Sequence, residues 1–138
     1  MEGEFRAVWR FAKISATKAR PVIDAIRGKN VNDARVILSN SPKRSAAMIR
    51  KVLESAVANA VYESQRKRLD IVPDKLCVVG AYVDTGPFIK RWRACARGRA
   101  HPYKRYHSHI TVAVAQKEEG KGEKVEKAGV VRKEEKKK

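Results

Sequence analysis

Between Asp84 and Glu118 the chain has no carboxylate at all, although eight lysines and arginines and all three histidines (His101, His107, His109) fall in that stretch. A solvated surface normally mixes both signs, so a run this one-sided repels itself unless a polyanion neutralises it. Cysteine is scarce too. Cys77 and Cys95 cannot make a disulfide framework, and a reducing cytosol is the natural setting. No apolar run approaches the roughly 18–20 residues of a membrane span. The opening Met1-Glu-Gly-Glu-Phe-Arg lacks a basic-then-apolar signal, so secretion is not expected. Chemistry-bearing patterns are equally thin. GKGEK at 120–124 lacks the spacing and preceding strand of a phosphate loop. Asp84 is the lone acid beside the basic stretch, and no paired carboxylates or activated nucleophile appear. His107 and His109 share a strand face, with Ser108 on the opposite one, so no triad forms. With Cys77 and Cys95 they lack the compact ligand pairs of a structural zinc site. No metal, cofactor or enzymatic activity is expected.

What is present is cationic. The 138 residues hold 32 Lys+Arg against 15 Asp+Glu, a formal net charge of +17, with 43% apolar residues, enough for one small core. Residues 1–84 carry 16 basic and 9 acidic side chains; residues 118–138 carry 8 and 6. That last stretch alternates Glu, Lys and Gly with few large apolar groups, and it reads as a disordered tail following a single α+β domain at 1–117.

Phe5, Ala7, Trp9 and Phe11 recur at period two, as in a half-buried strand. Ser15 or Thr17 suits the cap of a helix ending at Gly28, with Ile23 and Ile26 inward. Pro21 falls in its first turn if Thr17 caps, or bends it if Ser15 does. A short helix follows Asn32, with Ala34, Ile37 and Leu38 inward and Asn40 closing it. Ser41-Pro42 reads as cap and first-turn proline of the next helix. That helix places Ile49, Val52, Leu53, Ala56 and Ala60 on one face through about Tyr62. Arg66, Lys67 and Arg68 read as a polar connection. Leu76–Val83 and the alternation Ile110, Val112, Val114 make two strands that pair antiparallel. The fold class is therefore α+β: three helices on one face of a small antiparallel three-stranded sheet.

Joining those two strands is a basic, aromatic-interleaved segment at about 85–109. It is too long for an ordinary hairpin loop of two to five residues. Two strand arms of about eleven residues reach roughly 36 Å, beyond a small body. Composition alone also fits a disordered basic loop, but the interleaved aromatics and flanking strands favour a protruding β-hairpin. Such a ribbon is marginal in water and makes sense if its solvent is nucleic acid. Arg91, Arg93, Arg97 and Arg99 fork onto phosphates, and Lys90, Lys104 and Arg105 add charge. Trp92, Tyr103 and Tyr106 stack on bases or brace ribose. Gly98 permits a tight turn at the tip. Without RNA, residues 88–106 are expected to be mobile.

Four stretches, SATKARPV at Ser15–Val22 with Ile26–Val31, Lys51–Ala60, Val83–Arg91, and Arg97–Ala100 with Ser108–Val112, occur in an order that resembles the bacterial-type large-subunit ribosomal protein twenty-two family. The resemblance covers about residues 5–115. It implies a structural protein that binds large-subunit (23S-type) rRNA, aids assembly and lines the nascent-peptide exit tunnel with its hairpin. It further implies contact with neighbouring large-subunit proteins and the nascent polypeptide, as a monomer within a cytoplasmic ribosome. On the family pattern, Lys18, Arg20, Arg27 and Lys29 join the ribbon residues and His107 in binding rRNA. Lys43, Arg44, Arg50 and Lys51 fit an RNA-facing side, and Asn59 suits an rRNA contact, a cap or solvent. Ile89, Lys90, Arg91, Arg93, Ala94, Cys95 and Arg97 fall near the tunnel-proximal tip, where the family's residues influence macrolide antibiotics. The chain departs from the family at Ala94-Cys95, where Pro-Arg is common, so one tip cation is missing. A free DNA-architectural protein and an RNA-modifying enzyme are the rival readings. The sequence shows neither a dimer-specific feature for the first nor a cofactor or nucleophile for the second.

Overall fold

The computed structural model describes residues 4–67 and 72–116. The tail expected at 118–138, the GKGEK segment and Arg68 lie outside the described residues. The elements run β1 (Phe5–Ala12), α1 (Ala16–Asp24), α2 (Val31–Asn40), α3 (Arg44–Lys67), a short 3-10 turn (Pro73–Lys75), β2 (Leu76–Ala94) and β3 (Ala100–Gln116). β3 is the middle strand, antiparallel to β1 on one side and to β2 on the other. The helices cover one face of this sheet, as the α+β reading requires.

α3 forms because its apolar residues return every three or four positions: Ala46, Ile49, Val52, Leu53, Ala56, Val57 and Ala60 are all buried. The small alanines let it lie close to β1 and β3. Ile23 and Ile26 meet it from α1 and the turn that follows, and Ile110, Val112 and Val114 from the sheet. Each such side chain contributes about 1.5–3 kcal/mol on burial. Polar links pin the layers. Buried Ser45 donates through Oγ to the Lys18 carbonyl at 3.4 Å. Asn59 donates through Nδ2 to the Arg6 carbonyl at 3.1 Å, tying α3 to β1.

Several expected boundaries move. Ser15, not Thr17, caps α1, so Pro21 lies inside the helix and leaves the Thr17 carbonyl without its usual donor. α1 stops at Asp24, and the chain turns at Gly28, whose φ is +75°. α2 starts at Val31, earlier than expected, with Asn30 as N-cap. Ser41 closes α2 rather than opening α3, because a residue before proline is driven to extended backbone; its φ and ψ are −81° and 122°. α3 runs beyond Tyr62 to Lys67. Arg66 and Lys67 are helical, not a connection, and both pair with Glu63, at 3.8 and 3.2 Å.

Phe11 does not share the inward face of Phe5 and Ala7. The β1–β3 register slips between Trp9 and Ala12, Phe11 adopts φ +55°, and its ring is 58% exposed while Ala12 takes the buried position. A bulge adds one residue and reverses the alternation beyond it.

Candidate nucleic-acid interface

β2 and β3 remain paired long after β1 has ended. Their ladder runs from Leu76↔Gln116 through Phe88↔Tyr106 to Ala94↔Ala100. From Thr85 to Ala94 the arm extends about 30 Å at about 3.3 Å per residue. Every residue from 87 to 106 is exposed, so among the described residues this ribbon packs against nothing but itself. Pro102 is tolerated because β3 here has lost its β1 neighbour.

At the base, two bulges converge on β3 from opposite sides. One is the Arg10–Phe11 step in β1. The other is the Gly86-Pro87 step in β2, where the register slips between Thr85↔Ser108 and Phe88↔Tyr106. His109 joins them. Its Nδ1 accepts the Phe11 N–H at 3.1 Å, and its ring meets the Phe11 ring edge-on at 4.9 Å. Gly86 lies so close that an added Cβ would stand 3.1 Å from the His107 carbonyl oxygen and 3.2 Å from His109 Nε2. Bulges bend and twist a strand, so this junction sets the direction in which the ribbon leaves the body. Beside it is an open hollow lined by Val8, Arg10, Phe11, Asp84, His109 and Thr111.

At the tip, Arg97 and Gly98 both have positive φ, 58° and 65°. That is the sign pattern of a type I′ turn, whose twist matches the strands it joins. The Cys95 N–H donates to the Arg99 carbonyl at 2.8 Å and the Arg99 N–H to the Ala96 carbonyl at 3.4 Å.

The ribbon brings together Lys90, Arg91, Trp92, Arg93, Tyr103, Lys104, Arg105 and Tyr106 on its arms, with Cys95, Arg97, Gly98 and Arg99 at its tip. Ile89 and Ala94 also lie on the β2 arm. His107, half-buried, sits at the base. The ion pairs among the described residues all lie within helices or the turn after α1, and none involves a ribbon cation. Arg50 is paired with Glu54 at 2.8 Å. Lys18, Arg20 and Lys29 are exposed on α1 and the turn that follows it, apart from the ribbon.

Arg27 has an internal role that its sequence context does not reveal. Its Nε and Nη2 donate to the Ala81 carbonyl at 3.2 and 2.7 Å, and Nη2 also meets Asp24 at 3.0 Å. β2 is an edge strand. The backbone of Gly28 and Lys29 pairs with Val78 along that edge, and Arg27 caps the Ala81 carbonyl three residues further on. The two cysteines lie far apart, Cys77 near the start of β2 and Cys95 just past its end. Cys77 donates to the Asn30 side-chain oxygen at 2.8 Å, and Cys95 lies exposed at the tip. Among the described residues no three His, Cys, Asp or Glu side chains are grouped to hold a metal ion, and no helix is long and apolar enough to cross a membrane.

Residues 7–115 match the family model described as ribosomal protein L22p/L17e. The chain is similar to proteins named large ribosomal subunit protein uL22. One from Halothermothrix orenii is 45% identical over 117 residues, covering 85% of this chain and 99% of the relative. One from Thermus thermophilus is 47% identical over 114 residues, covering 83% and 96%. One from Carboxydothermus hydrogenoformans is 45% identical over 117 residues, covering 85% and 99%.

Proposed function

This chain belongs to the ribosomal protein L22 family and is a structural, non-enzymatic protein of the large ribosomal subunit; from that premise we propose that its ribbon is embedded in large-subunit rRNA and forms part of the wall of the nascent-peptide exit tunnel. The carrying observation is a two-stranded arm, exposed along its whole length, with seven lysines and arginines from Lys90 to Arg105 and no carboxylate. An isolated two-stranded hairpin gains too little burial to be rigid. RNA phosphates supply both the counter-charge and the packing surface. The body acts as an anchor whose bulged junction aims the arm, and the arm fixes the RNA segments around it, which supports assembly. Lys18, Arg20 and Lys29 add phosphate contacts from the body. Neighbouring ribosomal proteins and the emerging polypeptide are the remaining partners, in a cytoplasmic ribosome.

The test removes residues 88–106 and follows the truncated protein in growing cells. We expect impaired large-subunit assembly, or subunits whose tunnel wall is altered when imaged by electron cryo-microscopy. Normal incorporation with an unchanged tunnel would overturn the proposal.

A further inference from the structure

The pairing register sorts the ribbon's side chains by chemistry. Residues directly opposite share a face, as do residues two apart. One face therefore carries Ile89, Arg91 and Arg93 opposite Arg105, Tyr103 and His101. The other carries Phe88, Lys90 and Trp92 opposite Tyr106, Lys104 and Pro102. Every arginine of the two arms is on the first face and every lysine on the second. The ring contacts agree with this sorting. Arg93 lies over Tyr103 at 5.6 Å on the first face, and Lys104 lies over Phe88 at 4.8 Å on the second. Phe88 and Tyr106, directly opposite, have centroids 6.0 Å apart.

Among these aromatics Trp92 stands apart. It is 69% exposed, more than any other large apolar side chain described, and among the described residues its indole has neither a ring nor a cation partner.

We propose that the two faces hold RNA in different conformations, the arginine face gripping the backbone of paired RNA and the lysine–aromatic face holding an unpaired segment, with Trp92 as the platform on which one unpaired base stacks. The proposal rests on the reading that the ribbon binds RNA. A planar guanidinium fork matches phosphate oxygens in fixed geometry, so three arginines on one face suit a regular backbone. Ammonium groups are point charges on flexible stems and follow an irregular strand. A duplex hides its base faces within the stack, whereas an unpaired base presents a flat π surface to an indole. Lys90 and Lys104, on the same face as Trp92, reach the phosphates on either side of that base. The absence of any acid on the ribbon favours RNA over an apolar protein segment as the occupant.

The chain has two tryptophans, so Trp9→Phe in the full-length protein leaves Trp92 as the sole indole reporter. The probes are an RNA hairpin with an unpaired loop and a fully paired duplex of the same composition. We expect the loop RNA to quench Trp92 fluorescence and the duplex to leave it unchanged. Trp92→Ala weakens loop binding about ten-fold without changing its salt dependence, and Trp92→Phe restores most of it. Because Trp92 is exposed, neither variant threatens the fold. The triple variant R91Q/R93Q/R105Q lowers the slope of log affinity against log salt for the duplex by about 3. Quenching by both RNAs or by neither, or loop binding unaffected by Trp92→Ala, overturns the assignment of faces while RNA binding by the ribbon stands. So does burial of Trp92 only when another ribosomal protein is added. If no RNA binds the ribbon at all, the parent reading fails with it.

Discussion

Arg97 occupies a backbone conformation that suits glycine or asparagine. Its φ of 58° belongs to the left-handed region, where a Cβ is crowded by the carbonyl oxygen at a cost of about 1–2 kcal/mol. Asparagine tolerates that region and, with the following Gly98, completes the sequence pair preferred in type I′ turns. Arg97→Asn should therefore recover about 1 kcal/mol, nearly all of it local to the tip, because residues 87–106 are exposed and pack on no other described element. One kcal/mol is about a five-fold shift in an equilibrium. The observable is amide hydrogen exchange of the free protein, read at the Cys95 N–H bonded to the Arg99 carbonyl. Protection there should rise about five-fold, while Ile110 and Val112 in the body keep theirs. Arg97→Lys should leave protection unchanged, since it keeps the same crowding. Removal of the cation should also lower the salt slope of rRNA binding by roughly 1. Unchanged or reduced protection at Cys95 in Arg97→Asn would refute the claim that the turn is held in a costly conformation.

Other perturbations have equally definite outcomes. Gly86→Ala places a Cβ against β3 backbone, which yields less readily than a side-chain tip. Overpacking of about 1–3 kcal/mol should outweigh the 0.4–1 kcal/mol (about) gained from a stiffer unfolded chain, so a urea titration should show net destabilisation. His109→Ala should not rescue it, because the closest contact is the His107 carbonyl. Arg27→Ala should cost about 1–2 kcal/mol by removing two donors from the Ala81 carbonyl. Arg27→Lys should recover only part of that, and wild-type stability in Arg27→Ala would mean the edge needs no cap. The Ser108 hydroxyl is buried and has no hydrogen-bond partner among the described residues. Ser108→Ala should therefore be neutral or stabilising by up to about 1 kcal/mol in thermal unfolding, and a clear loss would reveal a partner for that hydroxyl.

The core was legible because it obeys local periods. The three- and four-residue spacing of Ile49, Val52, Leu53 and Ala56, and the alternation of Ile110, Val112 and Val114, need no knowledge of the rest of the chain. The residues that escaped depend on distant partners. Phe11 breaks its alternation at a bulge whose unpaired N–H is accepted by His109, 98 positions away. Arg27 reads in the sequence as an rRNA-binding cation, and its bond to the Ala81 carbonyl, 54 positions away, shows only once the fold brings the two together. Asn59 suited an rRNA contact, a cap or solvent, and the structure gives it a fourth role, donating to the Arg6 carbonyl 53 positions away. The composition of the ribbon was plain from the sequence, but its two-sidedness was not. Assigning faces requires the register, and the register is displaced by the extra residue at Gly86-Pro87, which no period announces.

The place of β3 between β1 and β2 also bears on how the protein is made. Its Val114 pairs with Phe5 at the opposite end of the chain, and Gln116 pairs with Leu76. Synthesis runs from the N-terminus, so the first strand must wait for its neighbour until almost the whole body and the complete arm have been translated. The sheet closes in one late step of high contact order, which slows folding. Until then the apolar stripes of α1 and α3 lack the strand that covers them, and the unfinished chain is vulnerable to aggregation.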